Sequence, residues 1–337
     1  MNISIEQRAK LRETWNVLSA AKFVVISTHI DPDGDAIGSA LGLYHLLQQN
    51  GIDSIIINHS PTPHNLQFLP DSQLAIISGN QPELHSIIQK ADMFCVLDLN
   101  VVSRLGVSVI PLFANFSKQT ILFDHHVHPD IPIEISNSIV SASSTCEIIA
   151  TMAQEAKLIL QENAAMCLYT GLMTDTGGFR HPRTNAEVMH LAAWLIECGA
   201  NPVRIYDSVM NANSPESMVL LGRALTSLSF SDTKEIALIV LPKEQLSGFS
   251  PEDTEGFVNY TLSIKGVKIG GLITEWDGGL IKISMRGKPE YNVRQIAEHF
   301  GGGGHLQAAG ARTINESLES VVEKVMILAE QSLHSSL

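Results

Sequence analysis

Six side chains able to hold divalent cations fall at four points along the sequence, each where an apolar stretch ends. They are His29, Asp33 and Asp35 in HIDPDGDAIGS, Asp98 in CVLDLN, His125 in FDHH and Asp175 in GLMTDTGGFR. The set suits two cations that share one carboxylate, and such a pair performs phosphoryl transfer by stabilising both the attacking and the leaving oxygen. A hydroxide bridging the pair is the natural nucleophile, because coordination lowers the pKa of water from about 15.7 toward ~7. Imidazole mixed with carboxylate favours Mn²⁺, Co²⁺ or Fe²⁺ over Mg²⁺, which prefers an all-oxygen shell. Asp33 and Asp35, two residues apart, are expected to project to one side of an extended loop, with His29 joining Asp33 at a strand end. Taken singly, Asp33 reads equally as a helix N-cap and Asp98 as a turn residue. It is their joint occurrence, in this order and setting, that points to a site.

The elements that must position these residues alternate. FVVIST (23–28), SIIIN (54–58), MFCVLD (93–98) and QTILFD (119–124) are short, apolar and β-branched, which predicts buried parallel strands. Helical patterns lie at 36–49, 83–90, 144–157, 162–174 and 185–198. The expected fold class is therefore α/β: an N-terminal, mostly parallel sheet with helices on both faces. Three of the candidate motifs then sit just past C-terminal strand ends, where such sheets bind ligands. The N-terminal MNISIEQRAKLRETW reads as an amphipathic helix with Ile5, Leu11, Trp15 and Leu18 on its apolar side. The stretch 203–228 is helical and split by Ser214 as N-cap and Pro215 at the first helical position. Beyond it, EIALIVL (235–241), KIGGLITEW (268–276) and GLIKISMRG (279–287) read as strands, the last two joined at Asp277-Gly278, a hairpin signal. A glycine run (301–304) leading into a short helix at His305, and a closing helix at about 315–333, complete a smaller C-terminal α+β domain. The expected boundaries are 1–202, a helical connector over 203–230, and 231–337.

Bulk properties narrow the partners. Cys95, Cys146, Cys167 and Cys198 are widely spaced in apolar segments and form no CxxC, so they read as buried thiols and the default location is cytoplasmic. No apolar run approaches the ~18 residues of a membrane span. With 22 Lys and Arg against 35 Asp and Glu, the net charge of −13 disfavours long duplex nucleic acid, which needs a basic footprint. Four Asp ligands and two divalent cations would sum to about zero, leaving local arginines free to attract phosphate. Arg104, six residues after Asp98, could fork onto phosphate oxygens.

The sequence resembles the DHH family of phosphoesterases, named for the triplet found here as Asp124-His125-His126. HxxPDxD from His29, the strand-end Asp98 and TDTGGFR follow in the family's order, and GGGGHLQAAGAR (301–312) matches the companion DHHA1 domain. Within the family it is similar to bacterial nano-RNases that also dephosphorylate 3′-phosphoadenosine 5′-phosphate. The resemblance implies one cation on His29, Asp33 and Asp98 and another on Asp35, Asp98, His125 and Asp175. Asp98 would bridge them, and Asp124 would orient a histidine. Mn²⁺ is the expected ion, with Mg²⁺ or Co²⁺ as alternatives. His126, beside a ligand, is a candidate general acid or phosphate-oxygen donor. Arg286, Gly303, Gly304 and His305 would bind substrate together with Arg104, although Gly287 stands where the family pattern has serine. The implied activity is hydrolysis of short oligoribonucleotides to mononucleotides and of 3′-phosphoadenosine 5′-phosphate to AMP, by a possible homodimer. Cyclic di-AMP or pApA hydrolysis is the main alternative. A short-chain polyphosphatase and a non-catalytic nucleotide-binding protein are weaker ones.

Overall fold

The apolar stretches become strands because both faces of the sheet they build are covered. In the computed structural model of the chain, residues 2–79 and 82–334 are described. They divide into two units, Met1–Ala212 and Asn213–Leu337. The first unit runs α1 (Ile5–Leu18), β1 (Phe23–Ser27), α2 (Gly34–Gln49), β2 (Asp53–Asn58), β3 (Ile76–Ile77), α3 (Pro82–Ile88) and β4 (Met93–Leu97). It continues through α4 (Ile110–Ala114), β5 (Gln119–Asp124), β6 (Ile135–Ser138), α5 (Thr145–Glu155), α6 (Glu162–Asp175), α7 (Ala186–Glu197) and α8 (Pro202–Met210). The strands lie in the order β3-β2-β1-β4-β5-β6, and each neighbouring pair is parallel. Val24, Ile26, Cys95, Leu97, Ile121 and Phe123 point into one core with helices α1, α2, α5, α6 and α7, while Val25, Phe94, Val96 and Leu122 point into another with α3 and α4. The chain leaves β1 toward β2 on one side and returns to β4 on the other. That reversal opens a crevice at the C-terminal strand ends.

Two features of this unit departed from expectation. Ile5 is 76% exposed, because it sits six residues, about 240° of helix, before Leu11; Thr14 and Ile3 are buried instead, beside Leu11, Trp15 and Leu18. The two edge strands β3 and β6 carried no strand pattern, one being two residues long and the other the polar ISNS.

Helices α2 and α6 cross almost backbone to backbone. A Cβ on Gly34 would lie 2.3 Å from Thr174 Oγ1, one on Gly38 would lie 2.6 Å from the Cys167 carbonyl, and one on Gly42 would lie 2.5 Å from Leu168 Cδ2. These glycines repeat every four residues on one helix face. The crossing sets the first turn of α2 beside the last turn of α6.

The second unit contains α9 (Pro215–Thr226), β7 (Ser229–Phe230), β8 (Ile236–Leu241), α10 (Asn259–Leu262), β9 (Ile269–Trp276), β10 (Leu280–Gly287), α11 (Arg294–His299), β11 (Gly303–His305), β12 (Ala308–Thr313) and α12 (Leu318–His334). Its sheet order is β11-β12-β10-β9-β8-β7, with β8 and β9 parallel and the other pairs antiparallel. One face packs on Val321, Val325 and Ala329 of α12, the other on Leu220 and Ala224 of α9 and on Phe257. Ser214 caps α9 by accepting from the Ser217 amide, with Pro215 in the first turn. The 203–230 stretch read as a connector is shared: α8 belongs to the first unit and α9 to the second. The short helix expected at His305 is instead the edge strand β11, paired with β12. A glycine run resists helix, and it lets the backbones approach closely: a Cβ on Gly302 would lie 2.1 Å from the Gly310 carbonyl. No helix among the described residues is long and apolar enough to cross a membrane.

Candidate metal centre

The candidate ligands are set by the ends of five elements around the crevice. Asp33 is the N-cap of α2, its Oδ1 accepting from the amides of Asp35 (3.0 Å) and Ala36 (3.1 Å). Asp35 therefore lies in the first helical turn, a correction to the extended loop expected from its spacing. Its carboxylate is held by the start of α5, accepting from the Thr145 amide at 2.6 Å and the Cys146 amide at 2.9 Å. Unpaired N–H groups at a helix start suit an anion. Asp98 follows β4 with φ of 59°, a left-handed conformation that aspartate tolerates better than most residues. Its amide donates to the Phe123 carbonyl at 2.9 Å, and its Oδ1 accepts from Thr145 Oγ1 at 3.0 Å. His125 follows β5, and Asp175 is the last residue of α6.

These ends converge. His29 Nε2 lies 3.5 Å from Asp98 Oδ2 and 3.9 Å from Asp33 Oδ1. His125 Nε2 lies 3.8 Å from Asp35 Oδ2, 3.6 Å from Asp98 Oδ1 and 3.3 Å from Asp175 Oδ2. His29, Asp33 and Asp98 offer ligand atoms within 4.8 Å of one another, as do Asp35, Asp98 and His125. Asp98 belongs to both groups. Ligand bonds of about 2.0–2.2 Å at tetrahedral to octahedral angles would separate donors by roughly 2.8–3.6 Å, near the spacings seen.

The histidine at β1 tests whether a cation fits. Its Nδ1 lies 2.7 Å from the Ile30 carbonyl, which can only accept, so Nδ1 carries the proton of the neutral ring. The Nε2 lone pair then faces two carboxylates, buried and without a hydrogen bond among the described residues. A lone pair aimed at anions is favourable only with a cation between them, and the back-side bond to a carbonyl is the usual support of a metal-ligating histidine. The donor set therefore fits a divalent ion. A proton is the alternative occupant. Burial lowers the His29 pKa, but Asp98 and Asp33 outweigh burial and raise it.

The carboxylates differ in their electrostatic surroundings. Burial, then the neighbouring carboxylates, push Asp35 and Asp175 well above the usual range. Burial acts the same way on Asp98, but His29, His126 and His125 outweigh it and hold that carboxyl well below. Asp98 is thus the carboxylate of the three whose neighbours most favour the ionised form.

Around this core, Asp124 Oδ1 lies 2.7 Å from His126 Nδ1, so Asp124 fixes that ring. Arg104 Nη1 lies 3.2 Å from His126 Nε2. A guanidinium only donates, so Nε2 accepts in this arrangement and the proton sits on Nδ1. His126 acting as a general acid requires Arg104 to withdraw. Two residues absent from the sequence reading also touch the centre. Thr145 contacts both Asp35 and Asp98; the capping pattern Ser144-x-x-Glu147 was the signal available for it. Arg183 places Nη1 3.2 Å from both His125 Nδ1 and the Ala142 carbonyl, from a loop with no local signal. Arg180 is exposed and donates to the Gly177 carbonyl at 2.8 Å.

In the second unit, Arg286 and His305 each pair with Ala308, so the three share one cross-strand row and one sheet face. Arg286 donates to the Met285 carbonyl at 3.0 Å, and burial lowers its pKa against the pull of Glu255. Gly303 and Gly304 lie on the same edge strand. At φ of 135°, Gly304 would place a Cβ 2.6 Å from the Ala308 carbonyl.

Comparison with known proteins agrees with this layout. Residues 23–172 match the DHH family, N-terminal domain, and residues 238–331 match the DHHA1 domain. The bifunctional oligoribonuclease and PAP phosphatase NrnA of Thermus thermophilus is 28% identical over 329 residues, covering 96% of this chain and 94% of the relative. The protein of the same name from Mycoplasma pneumoniae is 26% identical over 319 residues, covering 92% and 94%. An exopolyphosphatase-related protein from Bacteroides fragilis superposes with a TM-score of 0.90 at 32% identity, covering 96% of each chain. The chain belongs to the DHH family, with a DHH domain followed by a DHHA1 domain.

Proposed function

We propose that the protein is a metal-dependent phosphoesterase that hydrolyses short oligoribonucleotides to mononucleotides and 3′-phosphoadenosine 5′-phosphate to AMP. The observation that carries this reading is Asp98, a buried carboxylate shared between two histidine-containing ligand groups. Relatives named as oligoribonucleases and PAP phosphatases over nearly the full chain support the substrate class. One cation would be held by His29, Asp33 and Asp98, the other by Asp35, Asp98, His125 and Asp175, with Mn²⁺ the ion that suits the mixed donor set. When bound, the pair supplies Lewis acidity for phosphoryl oxygens and lowers the pKa of water.

The chain's own residues do the rest. The α5 amides and Thr145 hold Asp35 and Asp98 in place. Asp124 holds His126, whose Nε2 accepts from Arg104. A phosphate arriving at Arg104 competes for that guanidinium and frees Nε2 to take up a proton from solvent; the imidazolium, held at Nδ1 by Asp124, can then donate that proton to a phosphate oxygen or a leaving group. In the second unit, Arg286, Gly303, Gly304 and His305 are the proposed substrate-binding residues. The acidic balance disfavours long duplexes; a cytoplasmic location and a homodimeric form belong to the proposal. The test is a substrate panel with Mn²⁺: RNAs of two to five nucleotides, 3′-phosphoadenosine 5′-phosphate, cyclic di-AMP and tripolyphosphate. Mononucleotides from the RNAs and AMP from the bisphosphate support the reading. Preference for cyclic di-AMP or tripolyphosphate replaces it.

A further inference from the structure

A cavity of about 470 Å³ opens at the C-terminal ends of β2 and β3, lined by His59, Ile77, Ser78, Val107, Ser108 and Pro111 together with Gly79. Its volume lies within the roughly 300–1,000 Å³ of small-molecule sites. It adjoins the metal centre along the sheet edge. β2 neighbours β1, whose end carries His29, and strands are spaced about 4.8 Å, so the cavity begins one to two strands, ~5–10 Å, from that histidine. The walls are tied to the centre's loops. The Asp31 amide donates to Ser60 Oγ at 3.1 Å, and the Ile30 amide donates to the Arg104 carbonyl at 2.7 Å. Gly106 is wedged between His59 and Ile30, where a Cβ would lie 2.4 Å from His59 Cγ and 2.6 Å from Ile30 Cγ2.

The lining states what fits. Among the described residues its lining contains no Asp, Glu, Lys or Arg, so it offers hydroxyls, an imidazole and apolar carbon without fixed charge, a setting that suits a neutral group. Ser78 Oγ and Ser108 Oγ are 2.6 Å apart, and Ser108 Oγ is 2.6 Å from His59 Nδ1. A hydroxyl donates or accepts by rotating, so this chain presents an edge that adapts to either pattern. Val107 and Ile77 are 79% and 38% exposed, and with Pro111 they offer apolar surface for the faces of a flat ring. A neutral, flat, hydrogen-bonding group one nucleoside away from a phosphate is a nucleobase. We propose that this cavity holds the base of a nucleoside adjoining the scissile phosphate, and that its hydroxyl chain accepts different bases. This rests on the nucleotide reading above.

The test compares AMP with ribose 5-phosphate, which lacks the base, by direct binding to the Mn²⁺-loaded protein and to Gly79→Leu. Gly79 lines the cavity and a Cβ on it meets nothing within 4 Å, so a leucine can be introduced there without overlapping the walls. The wild type should prefer AMP by roughly tenfold, the ratio that about 1.4 kcal/mol provides. The G79L variant should lose that preference while its affinity for ribose 5-phosphate stays unchanged, and Ser108→Ala should reduce the preference in part. A preference that survives in G79L overturns the proposal, as does an equal weakening of both ligands. A wild type that shows no preference overturns it too. Hydrolysis of 3′-phosphoadenosine 5′-phosphate by the same preparation then shows whether the enzymatic reading falls with it.

Discussion

Removing divalent metal should destabilise the first unit by an amount that the ligand set bounds. Asp35 and Asp98 are buried, and Asp175 lies close enough to push Asp35 up. A cation that binds only the folded state stabilises it by RT ln(1 + [M]/Kd), about 2.7 kcal/mol per site at a hundredfold excess over Kd. For a unit of this size, Met1–Ala212, each kcal/mol raises Tm by about 2–4 °C. One filled site then adds roughly 5–11 °C and two about twice that. Differential scanning calorimetry of chelator-treated protein, with and without Mn²⁺, reads the shift. Asp98→Asn keeps an acceptor for Thr145 Oγ1 but removes the charge shared by both ligand groups, so its Tm should hardly respond to Mn²⁺. No shift in the wild type, or an equal shift in the variant, would refute the assignment of cations to these residues.

Thr145→Val removes the hydroxyl that donates to Asp98 but not the amide that holds Asp35. Mn²⁺ affinity measured by titration calorimetry should fall about 10–100-fold, the usual effect of losing a ligand's support, with stability lowered by only about 1 kcal/mol. Gly171→Ala places a Cβ 2.3 Å from Cys146 Sγ and 2.9 Å from Asp35 Oδ1; overpacking should cost about 1–3 kcal/mol in urea unfolding and weaken metal binding as Asp35 moves. Burial raises the pKa of Glu147, offset in part by the Ser143 amide and Asn2. Its contribution to stability is thus fully present below the unfolded value near ~4.3 and is lost as pH rises through the folded value. Glu147→Gln should remove that loss, so that urea midpoints of wild type and variant converge near pH 4 and diverge, in the variant's favour, toward neutrality.

The central strands were legible because parallel strands covered on both faces need continuous apolar residues, as FVVIS and MFCVL show. The edge strands β3 and β6 were not, since an edge needs little burial. The glycine run misled for a physical reason. Glycines before a histidine read equally as an anion-binding turn or as closely packed strands, and only the pairing of Gly303–His305 with β12 decides. At the centre, each candidate ligand stood at an element end and so could be picked out one by one. The contacts among them could not. Asp35 depends on α5, 110 residues away, and Arg183 reaches His125 across 58 residues. The α2 glycines at every fourth position were visible, but that they bring α2 onto α6 follows only from the crossing itself.

The most direct test is Mn²⁺-dependent release of AMP and phosphate from 3′-phosphoadenosine 5′-phosphate by the wild type and by Asp98→Ala, with folding of the variant checked by circular dichroism. The account predicts steady release by the wild type, abolished by chelation and restored by Mn²⁺, and a folded variant at the no-enzyme background. Release that persists in folded Asp98→Ala, or in chelated wild type, would contradict it.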